Sequence, residues 1–152
     1  MLGSRSFLKY WLPVIGWMLL VFSASTDLMS SQHTSRFLGP FLCWLVPGIS
    51  DTAIQLAQFT VRKTAHLAEY AVLALLLWRA LRQPVPGDTR PWSWREARHA
   101  LLLAALYAAT DELHQAFVPS RDAAVMDVLM DALGAALGLL LLWAIGRSRK
   151  RW

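Results

Sequence analysis

The sequence predicts an all-α membrane protein, a bundle of four transmembrane helices with both termini cytoplasmic. Three observations predict it. Four apolar runs reach or approach the roughly 20 residues a helix needs to cross a hydrocarbon core about 30 Å thick. Of the 152 residues, 56% are hydrophobic and 16% charged, whereas a soluble domain is about 45–50% apolar and about 25% charged. The Lys and Arg residues punctuate the apolar runs, as membrane-orientation signals do. The net charge of +5 is therefore no sign of a nucleic-acid partner. The length suits one domain, and we expect a single membrane domain over 1–152.

The first span is Tyr10 to Ser25, preceded by Arg5 and Lys9, with Pro13 expected in its first turns, where a missing N–H costs little. A basic start and the small Ser23-Ala24-Ser25 triplet also resemble a cleaved leader. Retention is expected, because the run is long for a leader and four crossings fit the charge pattern. Between 26 and 61, the apolar stretch Phe37 to Val46 is too short to span and is interrupted by Pro40, Pro47 and Gly48. Ile54, Leu56, Ala57 and Phe59 continue the pattern. This segment reads as one or two interfacial or re-entrant helices, with an ordered loop packed on the bundle as the alternative.

The second span is Thr64 to Leu81. A turn-rich linker follows, with Pro84, Pro86, Gly87 and Pro91, and with Trp92 and Trp94 at interfacial depth. The third span is Ala100 to Val118, stopped by Pro119. The fourth is Ala123 to Ile145, followed by Arg147, Arg149, Lys150 and Arg151. Eleven of the fifteen Lys and Arg then lie on one side of the membrane. The exceptions are Arg36, Arg62, Lys63 and Arg121. The positive side is expected to be cytoplasmic. The single cysteine, Cys43, permits no internal disulfide and lies in an apolar stretch where it is expected to be inert.

Ionisable residues inside spans are costly and commonly functional, and here they share one depth. Ser23 and Ser25 close the first span. Arg62, Lys63, His66, Glu69 and Tyr70 open the second. Asp111, Glu112, His114 and Gln115 end the third, and Asp127 and Asp131 begin the fourth. Arg62, His66, Glu69 and Tyr70 fall at i, i+4, i+7 and i+8, one helical stripe, and Tyr107, Asp111, His114 and Gln115 repeat that spacing. Asp127, Asp131, Gly134 and Gly138 form a third stripe, whose Gly-xxx-Gly pair admits a close neighbour helix. Pure salt bridging is the bland alternative, but buried ion pairs stabilise poorly beside apolar packing.

Three segments carry a family resemblance: Arg62-Lys63-Thr64-Ala65-His66-Leu67-Ala68-Glu69-Tyr70, Asp111-Glu112-Leu113-His114-Gln115 through Pro119-Ser120-Arg121, and Asp127, Asp131 with Gly134. Together they resemble the VanZ-like family of bacterial membrane proteins. Ser120 replaces a glycine usual in that pattern, and Asp131 stands where asparagine is common. The resemblance implies a four-helix membrane protein and a link to glycopeptide (teicoplanin) resistance, but no settled activity. A phosphotransbutyrylase label used for some relatives finds no phosphate loop here.

Three chemistries fit these residues. The first is recognition of a phosphate-bearing lipid of the cell envelope, polyprenyl-linked, at the outer leaflet. Arg62, Lys63 and Arg121 would meet the phosphate, with Tyr70, Gln115, Ser23 and Ser25 as further ligand contacts. His66, Glu69, Asp111, Glu112 and His114 would be candidate general acids and bases. The second is a non-enzymatic lipid carrier, flippase or proton-coupled transporter subunit, with Asp127 and Asp131 as relay or structural groups and Gly134 and Gly138 as packing positions. The third is a metal-dependent hydrolase using His66, Glu69, Asp111 and His114. No cofactor is expected otherwise, and an oligomer is compatible with four short helices. No Gly-x-Ser-x-Gly elbow and no His-Glu-x-x-His is present.

Overall fold

A computed structural model describes residues 4–25, 31–117 and 124–150, with side chains from residue 7 in the first stretch and from residue 38 in the second. Five helices and no strand occur among the described residues: α1 (Ser4–Ser25), α2 (Ser31–Leu45), α3 (Asp51–Arg82), α4 (Trp94–Gln115) and α5 (Val125–Ser148). Helices α1, α3 and α5 are long and apolar enough to cross a membrane. Helix α4 has the length, about 33 Å at 1.5 Å per residue. It falls short in apolar character, because Arg95, Glu96, Arg98, Asp111 and Glu112 confine its uncharged stretch to His99–Thr110.

Three expectations need correction. Pro13 lies inside α1 and not in its first turns, because the helix begins at Ser4. Lys9 therefore loses one intrahelical donor. Second, the pattern around Ile54 to Phe59 is not a separate interfacial helix but the start of α3. Ser50 caps that helix by accepting from the Ala53 amide at 3.3 Å, Asp51 sits in its first turn, and no Gly or Pro follows before Gln83 takes a left-handed conformation (φ 46°) and ends it. Only α2 remains of the two helices. It lies against the first turns of α3, with Gly39 facing Ile54 and Gln58. Third, α4 begins six residues before Ala100, capped by Ser93 through the Glu96 amide.

Side-chain contacts fix the directions. Tyr10 donates to the Pro84 carbonyl at one end, and Ser25 reaches Asp111 at the other. Lys63 meets Asp127 and Trp94 packs on Trp143. So α1 and α4 run one way and α3 and α5 the other. The end carrying Ser25, Lys63, Asp111 and Asp127 is called the upper end below. The core runs down the bundle axis through Val14, Val21, Tyr70, Leu73, Ala74, Ala104, Ala108 and Ala135, all essentially inaccessible. Small residues set the tightest contact. A Cβ on Gly134 would overlap the Leu67 carbonyl oxygen and lie 2.8 Å from Leu67 Cα, and one on Gly138 would lie 2.9 Å from the Ala71 carbonyl oxygen. The two glycines thus let α5 touch the backbone of α3.

The lower end is a closed polar and aromatic seal. The Arg82 guanidinium, 5% exposed, donates to Asp88 and Glu96 at 3.3 Å each, to the Pro91 carbonyl at 3.0 Å and to the Arg90 carbonyl. Arg90 returns a bond to the Arg82 carbonyl and takes both Asp88 oxygens at 2.9 and 2.7 Å. Those bonds hold the Asp88 carboxyl well below the usual carboxylate range. Arg82 also lies over Trp78, which stacks on Trp92. Trp92 then meets Trp94, and Trp94 meets Trp143.

Candidate functional site

Asp111 is the hub of the upper end. It sits on the last turn of α4, 2% exposed, and one of its oxygens accepts three donors: Ser25 Oγ of α1 at 2.7 Å, Tyr70 Oη of α3 at 3.3 Å and Gln115 Nε2 at 3.1 Å. The other oxygen, Oδ1, is buried with no hydrogen-bond partner among the described residues. Groups from three helices thus converge on one carboxylate, as the shared depth of these residues predicts. Tyr70, fully buried, supports Asp111 from below. Ser25 and Gln115 flank it.

A second pair stands on the α3–α5 seam. His66 Nδ1 lies 3.6 Å from Asp131 Oδ1, too far for a hydrogen bond. Neither carboxylate oxygen of Asp131, 1% exposed, has a hydrogen-bond partner among the described residues. One turn above, Lys63 and Asp127 form an ion pair. The stripe of Asp127, Asp131, Gly134 and Gly138 therefore faces α3 along its length.

Arg62 is half-buried and makes no ion pair among the described residues. Glu69 is half-buried too, and its backbone carbonyl accepts Trp17 Nε1 of α1 at 2.9 Å. Of the expected stripe of Arg62, His66, Glu69 and Tyr70, His66 meets Asp131 of α5 and Tyr70 meets Asp111 of α4. Glu112 is buried and accepts the Ala124 amide at 3.1 Å, which ties the start of α5 to the end of α4. Its Oε1 lacks a hydrogen-bond partner among the described residues, as does His114 Nδ1. The His114 ring packs on Phe22 at 4.4 Å.

Ser23 does not join the cluster. It is exposed and donates to the Leu19 carbonyl at 2.8 Å, within its own helix. Arg121 lies outside the described residues, as do Ser120 and the Pro119–Arg121 turn. Among the described residues no three His, Cys, Asp or Glu side chains gather as metal ligands would, so His66, Glu69, Asp111 and His114 do not form such a set.

Sequence reasoning missed Phe22, Trp17 and the Tyr107 hydroxyl, which donates to the Met18 carbonyl at 2.6 Å. The i, i+4 placement of Met18 and Phe22 beneath Ser25 was the available signal.

No curated protein and no solved structure matches this chain. A family model described as VanZ/LLP1 matches residues 10–146. That match contains every described helix residue placed in the site above, and with helices able to cross a bilayer it makes this a membrane protein that belongs to the VanZ-like family.

Proposed function

We propose that the upper end of the bundle binds the headgroup of a phosphate-bearing lipid of the cell envelope at the outer leaflet of the bacterial inner membrane. The observation that carries this reading is the bare oxygen of Asp111, held in place by Ser25, Tyr70 and Gln115 and left without a donor. A buried acceptor so positioned calls for a donor from a ligand, because an unsatisfied buried polar group costs about 1–3 kcal/mol. Hydroxyl or amino groups of a lipid headgroup supply such donors. Arg62, half-buried and without an ion pair among the described residues, would meet the phosphate, with Arg121 as its expected partner. In this reading α4 is the fourth span, its end charges satisfied within the bundle, and both termini are cytoplasmic.

Binding is tested with the purified full-length protein in nanodiscs, titrated with a long-chain prenyl monophosphate carrying a polar headgroup. Asp111→Asn should keep the helical content and weaken binding by about tenfold or more, the loss of one charged hydrogen bond. Wild-type protein that binds no such lipid ends the reading. Orientation is tested by cysteine labelling in intact cells. With the exposed Cys43 first replaced by Ser, Asp51→Cys should react with an impermeant thiol reagent and Asp88→Cys should not.

One observation favours a second reading, a proton-coupled carrier. Asp111, Glu112 and Asp131 are buried at one end of the bundle, while Lys63 of that end is taken by Asp127. Carboxylates so placed hold and exchange protons. Lipid translocation in proteoliposomes that collapses with the pH gradient would favour it. A metal-dependent hydrolysis would need ligands that the described residues do not gather.

A further inference from the structure

The seam between α1 and α4 changes character along its length. At the upper end three contacts close it: Ser25 to Asp111 at 2.7 Å, Phe22 to His114 at 4.4 Å, and the Tyr107 hydroxyl to the Met18 carbonyl at 2.6 Å. Below Tyr107 the two helices part. A recess of about 260 Å³ opens there, lined by Trp11, Val14, Ile15, Met18, Leu73, Leu77, Leu103 and Tyr107. Its floor, Val14, Leu73 and Leu77, is buried, and its rim, Ile15 and Leu103, is 44% and 40% exposed.

We propose that this recess is a slot for one hydrocarbon chain of the lipid whose headgroup is bound above, an inference that rests on the headgroup reading. No charged side chain lines it, its surface is almost wholly apolar, and the Tyr107 hydroxyl at its roof already has an acceptor. Water has nothing to bond, so the recess suits an apolar occupant. It opens sideways between Leu12, Leu19, Leu102 and Leu106, all more than half exposed, and in a membrane that surface meets acyl or prenyl chains. Its volume equals roughly nine groups the size of a water molecule, each taking about 30 Å³. From Met18 to Trp11 it spans seven residues, about 10 Å along α1. The site is continuous with it. Tyr107 forms the roof and Asp111 is one helical turn higher on the same face. A chain leaving a headgroup at Asp111 passes outside the Phe22–His114 contact and enters the slot beneath Tyr107.

The probe is a long-chain alcohol with a diazirine at mid-chain and no phosphate, photolysed in nanodiscs of the full-length protein. Labelled peptides are then mapped by mass spectrometry. Label should concentrate on Trp11–Met18 and Leu103–Tyr107. Leu103→Trp and Ile15→Trp, both rim changes that the fold tolerates, should each cut that label about tenfold, as expected when two chain carbons are expelled, and leave label on Leu137–Leu141 unchanged. Label spread evenly over all exposed leucines, or unmoved by both variants, overturns the slot. Prenyl phosphate that fails to compete, while label stays in the recess and falls in the variants, upholds the slot and sinks the headgroup reading alone.

Discussion

The two ends of this bundle hold similar numbers of charged residues and treat them in opposite ways. At the lower end the Arg82 guanidinium is met on every side, Asp88 binds two arginines, and a line of four indoles covers the gap between α3, the linker and α5. At the upper end, among the described residues, Asp111 keeps one bare oxygen, Asp131 keeps two, and His66 stands 3.6 Å from its partner. Unsatisfied buried polar groups are few in native proteins, and each costs stability. Bare carboxylate oxygens at one end, against carboxylates met by arginines at the other, separate scaffold from site more sharply than any single residue does.

Substitutions test that contrast, and the largest removes it altogether. Gly134→Leu forces a side chain into the Leu67 backbone, an overpacking of about 3 kcal/mol or more. It should abolish folded protein at both ends, measured as loss of a monodisperse peak in detergent. Arg82→Ala should come next. It leaves Asp88 and Glu96 facing a buried gap, at a cost of about 3 kcal/mol, so thermal stability falls while the upper end, in the fraction that folds, still binds its ligand. Asp131→Asn should move stability the other way. It removes a buried charge whose one described partner, His66, stands 3.6 Å away, which gains about 1 kcal/mol, and a raised melting temperature would confirm that the upper end forgoes stability. A fall would place Asp131 among the scaffold.

Acid tests the lower end alone. Arg90 depresses the Asp88 carboxyl in the folded protein, so its contribution is fully present above the unfolded value of about 3.9. It is lost progressively as pH falls from there through the lower, folded value. The melting temperatures of wild type and Asp88→Asn should therefore differ near neutrality and begin to converge only below about pH 4. The smallest expected effect is Tyr107→Phe, which deletes one hydrogen bond between α4 and α1 worth about 1 kcal/mol, read as a slight drop in melting temperature.

Much of the site was legible because chemistry repeats with helical period. Asp127, Asp131, Gly134 and Gly138 declare a face, and the face meets α3. The shared depth of Ser25, Tyr70 and Asp111 was legible too, since polar side chains in apolar runs have few alternatives. Periodicity does not say which neighbour each residue on a stripe meets, and so His66 turns to Asp131 of α5 while Tyr70 turns to Asp111 of α4. Partner choice eluded it as well: Lys63 takes Asp127, while Glu112 spends one oxygen on the Ala124 amide. Such pairings depend on backbone distances across helices. The length of α3 was written in the uninterrupted stretch after Ser50, but the hydropathy of Asp51–Val61 is weaker than that of the span and concealed the continuity.

The glycine contact between α3 and α5 divides the molecule mechanically. Two backbones in direct touch have no slack to slide or tilt, so this pair is a fixed post. Helix α1 is fastened by a few single bonds from Tyr10, Trp17, Ser25 and Tyr107, each individually weak enough to break thermally. Any opening that lets a bulky guest reach Asp111 from the side must therefore swing α1 like a door against a post that stays where it is.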